Sequence, residues 1–288
     1  MGIFSLDPNT EVSSVAIKVK DFERMVGFYR YIIGLDILSE ENDMAIMGIG
    51  QQKRKIIGLI ATPEGEEDSN AQTGLYHMAL VFPEQEQLAA FVKHLMSKNY
   101  PIEGQSDHGY CKSIYINDPE GNRLEFSWDR PKETWPMREG KIDGVTKELD
   151  LPRILNKVSG TFEKLPVETK IGHVHLNVLD LEKSYDFYVD SLGFCLKDDH
   201  FKNKHFLTVD DYHHQVALEE SMPTMDMTVR DDDLGVDHIT FKVQSIDHLL
   251  ELRDNLNENK QTFYFNKGKK IIGISDPSGI QLWFRVFK

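Results

Sequence analysis

The 288-residue chain has little cysteine, no long apolar run and a shortage of basic charge. Its two cysteines, Cys111 and Cys195, lie far apart with no metal-type spacing. That excludes a disulfide framework and a cysteine-built zinc site, and favours reduced thiols in a cytoplasmic protein. No stretch approaches the roughly 20 apolar residues that a membrane-spanning helix needs. The first ten residues have neither a basic region nor an apolar one, so no secretory signal is expected. Lys and Arg number 33 against 47 Asp and Glu, a formal net charge of −14. A surplus of that sign argues against nucleic acid and anionic membrane surfaces as partners.

What is present is a text written twice. Val12-Ser-Ser-Val-Ala-Ile-Lys-Val19, with Phe28-Tyr29 and Gly34-Leu35 after it, returns as Ile171-Gly-His-Val-His-Leu-Asn-Val178, with Phe187-Tyr188 and Gly193-Phe194. Asn117-Asp118-Pro119-Glu120-Gly121 returns as Ser275-Asp276-Pro277-Ser278-Gly279. The offsets agree: Ser14 to His173 is 159 positions, Asp118 to Asp276 is 158, and His77 to His238 is 161. Such a repeat defines equivalent positions, at which one copy can keep a function that the other has lost.

Each copy divides again. Residues 12–19 alternate apolar and polar as a strand does. Asp21 then caps a helix carrying Phe22, Met25, Val26, Phe28, Tyr29 and Ile33, which Gly34 ends. Strands are predicted over 44–48 and 55–61, and a loop over 63–72. The second unit has a strand over 76–82, an amphipathic helix over 88–96, and strands over 112–116 and 123–128. The second copy predicts a strand over 171–178, a helix over 181–192, and strands over 205–209 and 215–219. It closes with a strand over 236–243, a helix over 246–257, and strands over 270–275 and 281–286. The α+β pattern is read as four tandem βαβββ modules, at about 12–63, 74–129, 171–221 and 235–287, with one strand of each given no range. They group into two domains, 10–130 and 169–288. A linker, 131–168, joins them, and its middle, 144–158, has room for a short helix.

These phrases resemble the vicinal oxygen chelate superfamily of glyoxalases, bleomycin-resistance proteins and extradiol dioxygenases. The likeness rests on Ile171-Gly-His-Val-His-Leu-Asn-Val178, Gly74-Leu-Tyr-His-Met-Ala-Leu80, Ser106-Asp-His-Gly109 and Tyr212-His-His214, and on Asp118-Pro-Glu-Gly-Asn-Arg-Leu-Glu-Phe126 with Asp129-Arg-Pro131. It is greatest to two-domain proteins of the catechol-2,3-dioxygenase type, and covers nearly the whole chain. It implies two cupped mixed β-sheets with helices outside. It also implies one divalent metal held by the first strand of one module and the first and last strands of its partner.

The equivalent positions are Ser14, His77, His173 and His238 in the first strands, and Glu125 and Trp283 in the last strands. If modules pair in sequence order, both ligand sets are broken, because a hydroxyl and an indole are poor replacements. If modules two and three pair, and one and four, then His77, Glu125 and His173 form a complete set and Ser14, His238 and Trp283 an empty one. The crosswise pairing is preferred. Two imidazoles and a carboxylate suit non-haem Fe(II), and Mn(II) or another divalent ion fits the same donors.

On this resemblance the chain is expected to be a metal-dependent extradiol ring-cleaving dioxygenase, an iron oxidoreductase of aromatic hydrocarbon catabolism. It would act on a small catechol- or hydroquinone-like substrate with O2. Tyr115, His108 and His213 are the expected catalytic side chains for steadying a substrate oxygen and moving a proton; His175 and His214 are further candidates. A glyoxalase-type lyase or isomerase is the first rival, and would draw a fourth ligand from near Ala217, Glu219 or Glu220. A small-molecule-binding resistance protein without chemistry is the second. Substrate identity and oligomeric state stay open, a homo-oligomer included.

Overall fold

A computed structural model of the chain describes residues 4–65, 73–138, 141–156, 158, 160–198, 201–221 and 233–287. Most of the loop expected over 63–72 thus lies outside the described residues.

The four modules are present. Module one holds β1 (Glu11–Val19), α1 (Phe22–Tyr31), β2 (Asp36–Glu41), β3 (Met44–Ile49) and β4 (Arg54–Ala61). Module two holds β5 (Gly74–Phe82), α2 (Gln85–Ser97), β6 (Gly104–Asp107), β7 (Cys111–Asn117) and β8 (Arg123–Asp129). The connection carries β9 (Met137–Arg138), β10 (Lys141–Ile142), β11 (Lys147–Glu148) and α3 (Leu151–Leu155), the last falling where a short helix is expected. Module three holds β12 (Lys170–Val178), α4 (Leu181–Asp186), β13 (Cys195–Asp198), β14 (Lys204–Thr208) and β15 (Val216–Glu220). Module four holds β16 (Gly235–Lys242), α5 (Ile246–Glu258), β17 (Tyr264–Asn266), β18 (Ile271–Ser275) and β19 (Gln281–Arg285). The strands make two mixed sheets, of eight and nine strands, and a two-stranded ladder. Among the described residues no helix is long and apolar enough to cross a membrane.

Three local expectations need correction. The first strand after each helix (β2, β6, β13, β17) lies in a stretch to which no strand is assigned from the sequence, and in none of the four does burial alternate. The helix expected over 181–192 is α-helical only through Asp186. A π turn, Phe187–Ser191, follows, in which Leu192 N–H reaches Phe187 O at 3.0 Å. Thirdly, the strand expected over 215–219 is β15, one residue later at Val216–Glu220, and His213 and His214 stand in the bend before it.

The chain divides into two compact units. One contains Met1–Lys18, Glu64–Tyr76 and His173–Lys288, and the other Val19–Pro63 and His77–Gly172. In the first unit β1 runs antiparallel to β16, with Ser14 opposite Thr240 and Ala16 opposite His238. The first strand of module one is thus the partner of the first strand of module four, as crosswise pairing requires of that pair. Parallel to β16 lies β19, followed by antiparallel β18 and β17. Also in this unit, β12 is parallel to β15, which continues antiparallel into β14 and β13. In the second unit β2, β3 and β4 form an antiparallel meander. Parallel to β5 lies β8, and β7 and β6 extend that ladder antiparallel.

The Asp-Pro-x-Gly turns hold each copy together. Asp118 Oδ1 accepts from the backbone N–H groups of Glu120 and Asn122, and Oδ2 accepts from the Tyr29 hydroxyl of α1 at 3.0 Å. The Glu120 carboxylate accepts from Lys20 and Asp21 N–H, fastening the start of α1, which Asp21 caps through Arg24 N–H. In the other copy Asp276 Oδ1 accepts from Ser278 and Ile280 N–H, Tyr188 donates to Oδ2, and Ser278 Oγ accepts from Leu179 N–H. The apolar faces of α1 (Met25, Val26, Phe28, Tyr29) and α2 (Leu88, Ala89, Phe91, Val92, Leu95) are buried, as 3.6-residue periodicity dictates.

Candidate metal centre

Strands β5, β7 and β8 of the second unit bring together His77, Glu125 and Tyr115. On β5, Ala79 pairs with Glu125 in register, so His77, two residues earlier, projects from the same face of its strand. His77 Nε2 lies 3.1 Å from Glu125 Oε2, and both side chains are almost fully buried. A buried carboxylate needs partners. Ser113, fully buried on β7, supplies one by donating its hydroxyl to Glu125 Oε1 at 2.6 Å. Glu125 therefore does not face solvent.

Tyr115 stands directly opposite Glu125 in the β7–β8 register. Its ring centroid is 5.9 Å from that of His77, and its hydroxyl is 3.1 Å from His108 Nε2. Thr146 Oγ1 lies 3.3 Å from His108 Nδ1, and the Arg123 guanidinium sits 4.8 Å from the Tyr115 ring centroid. Burial, aided by the Glu125 charge, pushes the Tyr115 phenol far above its ordinary range, so it stays protonated and able to donate. Two of the expected catalytic side chains, Tyr115 and His108, are therefore in contact. Ser113 escaped sequence reasoning, although its position two residues before Tyr115 places it on the same strand face.

In the first unit His173, His213 and His214 cluster, all buried, each offering a ring nitrogen within 4.8 Å of the others. The His173 ring centroid is 4.1 Å from that of His214 and 6.0 Å from that of His213. His213 Nδ1 and His214 Nδ1 are 2.8 Å apart, so one ring carries its proton there and the other accepts it.

His175 belongs to a different network. Its Nε2 is 3.0 Å from Glu219 Oε2, which also binds Lys204 Nζ at 2.8 Å, while Glu219 Oε1 accepts from Asn203 Nδ2 at 3.1 Å. Burial raises the Glu219 carboxyl, but the hydrogen bonds from His175 and Lys204 outweigh it and hold its pKa at about 2. Burial also lowers the His175 pKa, so the neutral ring is favoured. Glu219 is therefore committed to an ion pair, Ala217 opposes His175 in register, and Glu220 is exposed at the end of β15.

Of the positions read as a decayed set, Trp283 stacks on His238 with centroids 4.0 Å apart and planes 13° apart. His238 Nδ1 meets Asp237 Oδ2 at 2.6 Å.

The glyoxalase/bleomycin resistance protein/dioxygenase superfamily model matches residues 11–126 and again 170–284, and the chain belongs to that superfamily. It is 30% identical over 218 residues to catechol-2,3-dioxygenase of Bacillus subtilis (strain 168), an overlap covering 74% of this chain and 76% of that protein. In fold it resembles a candidate dioxygenase from Bacillus subtilis subsp. subtilis str. 168, with a TM-score of 0.66, 14% identity and coverage of 96% of this chain and 84% of the other. It also resembles the CppA protein of Streptococcus pneumoniae TIGR4, with a TM-score of 0.63, 14% identity and coverage of 99% and 100%. At such identities these two likenesses speak for the fold, two mixed sheets of repeated modules.

Proposed function

We propose that the chain is an extradiol ring-cleaving dioxygenase acting on a catechol- or hydroquinone-like aromatic with O2, and that His77, Glu125 and His173 hold its metal ion. The observation that carries this reading is the buried imidazole–carboxylate contact of His77 and Glu125, with Ser113 fixing the second carboxylate oxygen. The name of the 30%-identical relative agrees with it. Fe(II) is the ion proposed, with Mn(II) as the alternative, because both accept two imidazoles and a carboxylate. When bound, such an ion would supply Lewis-acid and redox chemistry toward a diol and O2.

The side chains have distinct tasks under this reading. Ser113 orients Glu125, as outer hydrogen bonds commonly orient ligands. Tyr115, kept protonated by burial, donates to a substrate oxygen, and His108 holds its hydroxyl in place. His213 moves a proton through Nε2, since its Nδ1 is engaged with His214. His175 and Glu219 support the strands rather than the chemistry.

The test is metal analysis of anaerobically purified wild type beside His173→Ala, followed by O2 uptake with a panel of catechols. About one Fe or Mn per chain, lost in His173→Ala, with catechol-dependent O2 uptake, is the expected result. Turnover of a substrate without O2 would replace this reading with a glyoxalase-type lyase. A chain that stays metal-free after Fe(II) reconstitution would replace it with a binding protein. Normal metal content in His173→Ala would remove His173 from the ligand set.

A further inference from the structure

The hairpin β18–β19 of the first unit is the repeat counterpart of β7–β8, at an offset of 158 positions, and it has been rebuilt. In the β7–β8 register Tyr115 faces Glu125 and Ser113 faces Ser127. In the β18–β19 register Gly273 faces Trp283 and Ile271 faces Arg285. At the counterpart positions a tyrosine has become glycine, the carboxylate an indole, and a serine an arginine. Removing the tyrosine side chain opens space. A cavity of about 600 Å³ lies there, lined by Tyr264, Lys269, Ile271, Gly273, Gln281, Trp283 and Arg285. That volume is ordinary for a small-molecule site.

The chemistry of the lining is specific. Alternation along β19 buries Leu282 and Phe284 and leaves Gln281, Trp283 and Arg285 on the open face. Trp283 is held flat by the His238 ring stacked on it, and His238 is itself held by Asp237. The Trp283 indole is thus a fixed aromatic wall, with Tyr264 as a second. Among the described lining residues Lys269 and Arg285 carry the charge, and none is a carboxylate. In a chain of net charge −14 a groove with two cations and no acid is a local positive field, which draws anions. The Arg285 guanidinium also lies 5.4 Å from the Phe287 ring centroid.

We propose that this groove binds a small aromatic carboxylate, its ring against Trp283 and Tyr264 and its carboxylate held by Lys269 and Arg285. The site is separate from the His77–Glu125 pair and does not depend on the proposed oxygenase activity. Aromatic faces supply area and orientation, and the guanidinium supplies a paired, charge-assisted contact.

The test is calorimetric titration of the full chain with 2-naphthoate, with the neutral 2-naphthylmethanol, and with inorganic phosphate. Tryptophan emission is followed in parallel in wild type and in Trp283→Phe, so that a change is assigned to Trp283. Wild type is expected to bind naphthoate with a change in tryptophan emission, and to bind the alcohol about tenfold more weakly or worse, the loss of a charge-assisted contact. Both Lys269→Gln/Arg285→Gln and Gly273→Tyr, which restores the bulk found on β7, should lose about tenfold or more. His77→Ala should bind naphthoate as wild type does. Unfolding midpoints of the variants are measured alongside, so that loss of binding is separated from loss of fold. The proposal is overturned if wild type does not bind naphthoate, or if alcohol or phosphate binds as tightly. It is equally overturned if the cation variants keep wild-type affinity, or if His77→Ala removes binding.

Discussion

Tyr188 donates its hydroxyl hydrogen to Asp276 Oδ2 across 3.3 Å, and Asp276 is buried so deeply that its pKa is raised to about 6. Burial is the main cause, opposed by hydrogen bonds from Ile280, Ser278 and Tyr188. An acid whose folded pKa lies above its unfolded value binds its proton more tightly when folded. Its contribution to stability is therefore full below about pH 4 and declines as pH rises through 6. Asp276→Asn keeps an acceptor for the turn amides but cannot ionise. Its urea stability relative to wild type should improve between pH 4 and pH 7, by on the order of 2 kcal/mol. A difference that does not change with pH would contradict this.

Ser113 gives the metal proposal an independent handle. Ser113→Ala removes the donor to Glu125 Oε1 and leaves every proposed ligand in place. Its affinity for Mn(II), measured by titration, should fall roughly 10- to 100-fold. Unchanged affinity would show that Glu125 needs no such support.

The acid limb of stability should report on Glu219. Its folded pKa of about 2 lies below the ordinary carboxylate value, so its contribution is present above about pH 4.5 and lost as pH falls through 2. The lowered His175 pKa acts in a higher window, its contribution being lost as pH falls below about 6.5. Glu219→Gln should flatten the dependence of the unfolding midpoint below pH 4.5, compared by circular dichroism with wild type.

Gly193 is required for two reasons and Gly121 for one. Both have positive φ, 82° and 86°. A Cβ at Gly193 would also meet the Leu6 backbone N at 2.8 Å and the Phe4 ring at 2.7 Å, whereas nothing lies within 4 Å of one at Gly121. Gly121→Ala should cost about 1 kcal/mol of backbone strain, and Gly193→Ala appreciably more, on the order of 2–4 kcal/mol. Equal unfolding free energies for the two variants would refute the steric part.

By itself, the sequence determined the modules, because strand and helix periods are local properties that the repeat states twice. Through its family resemblance it also nominated His77, Glu125 and His173 as ligands and Tyr115, His108 and His213 as catalytic; His77 with Glu125 and Tyr115 with His108 are the pairs nearest in the chain's local architecture. Each pair sits on neighbouring strands or a single hairpin, where register follows from alternation. Only the tertiary structure decided the rest. It set β1 beside β16 across more than two hundred residues, committed Glu219 to His175 and Lys204, and placed His213 against His214 in a turn. It also turned the Trp283 region into an open cationic groove. No local pattern carries such information: long-range strand pairing is chosen by which buried faces match, and a side chain's partner by which atoms that pairing brings within reach.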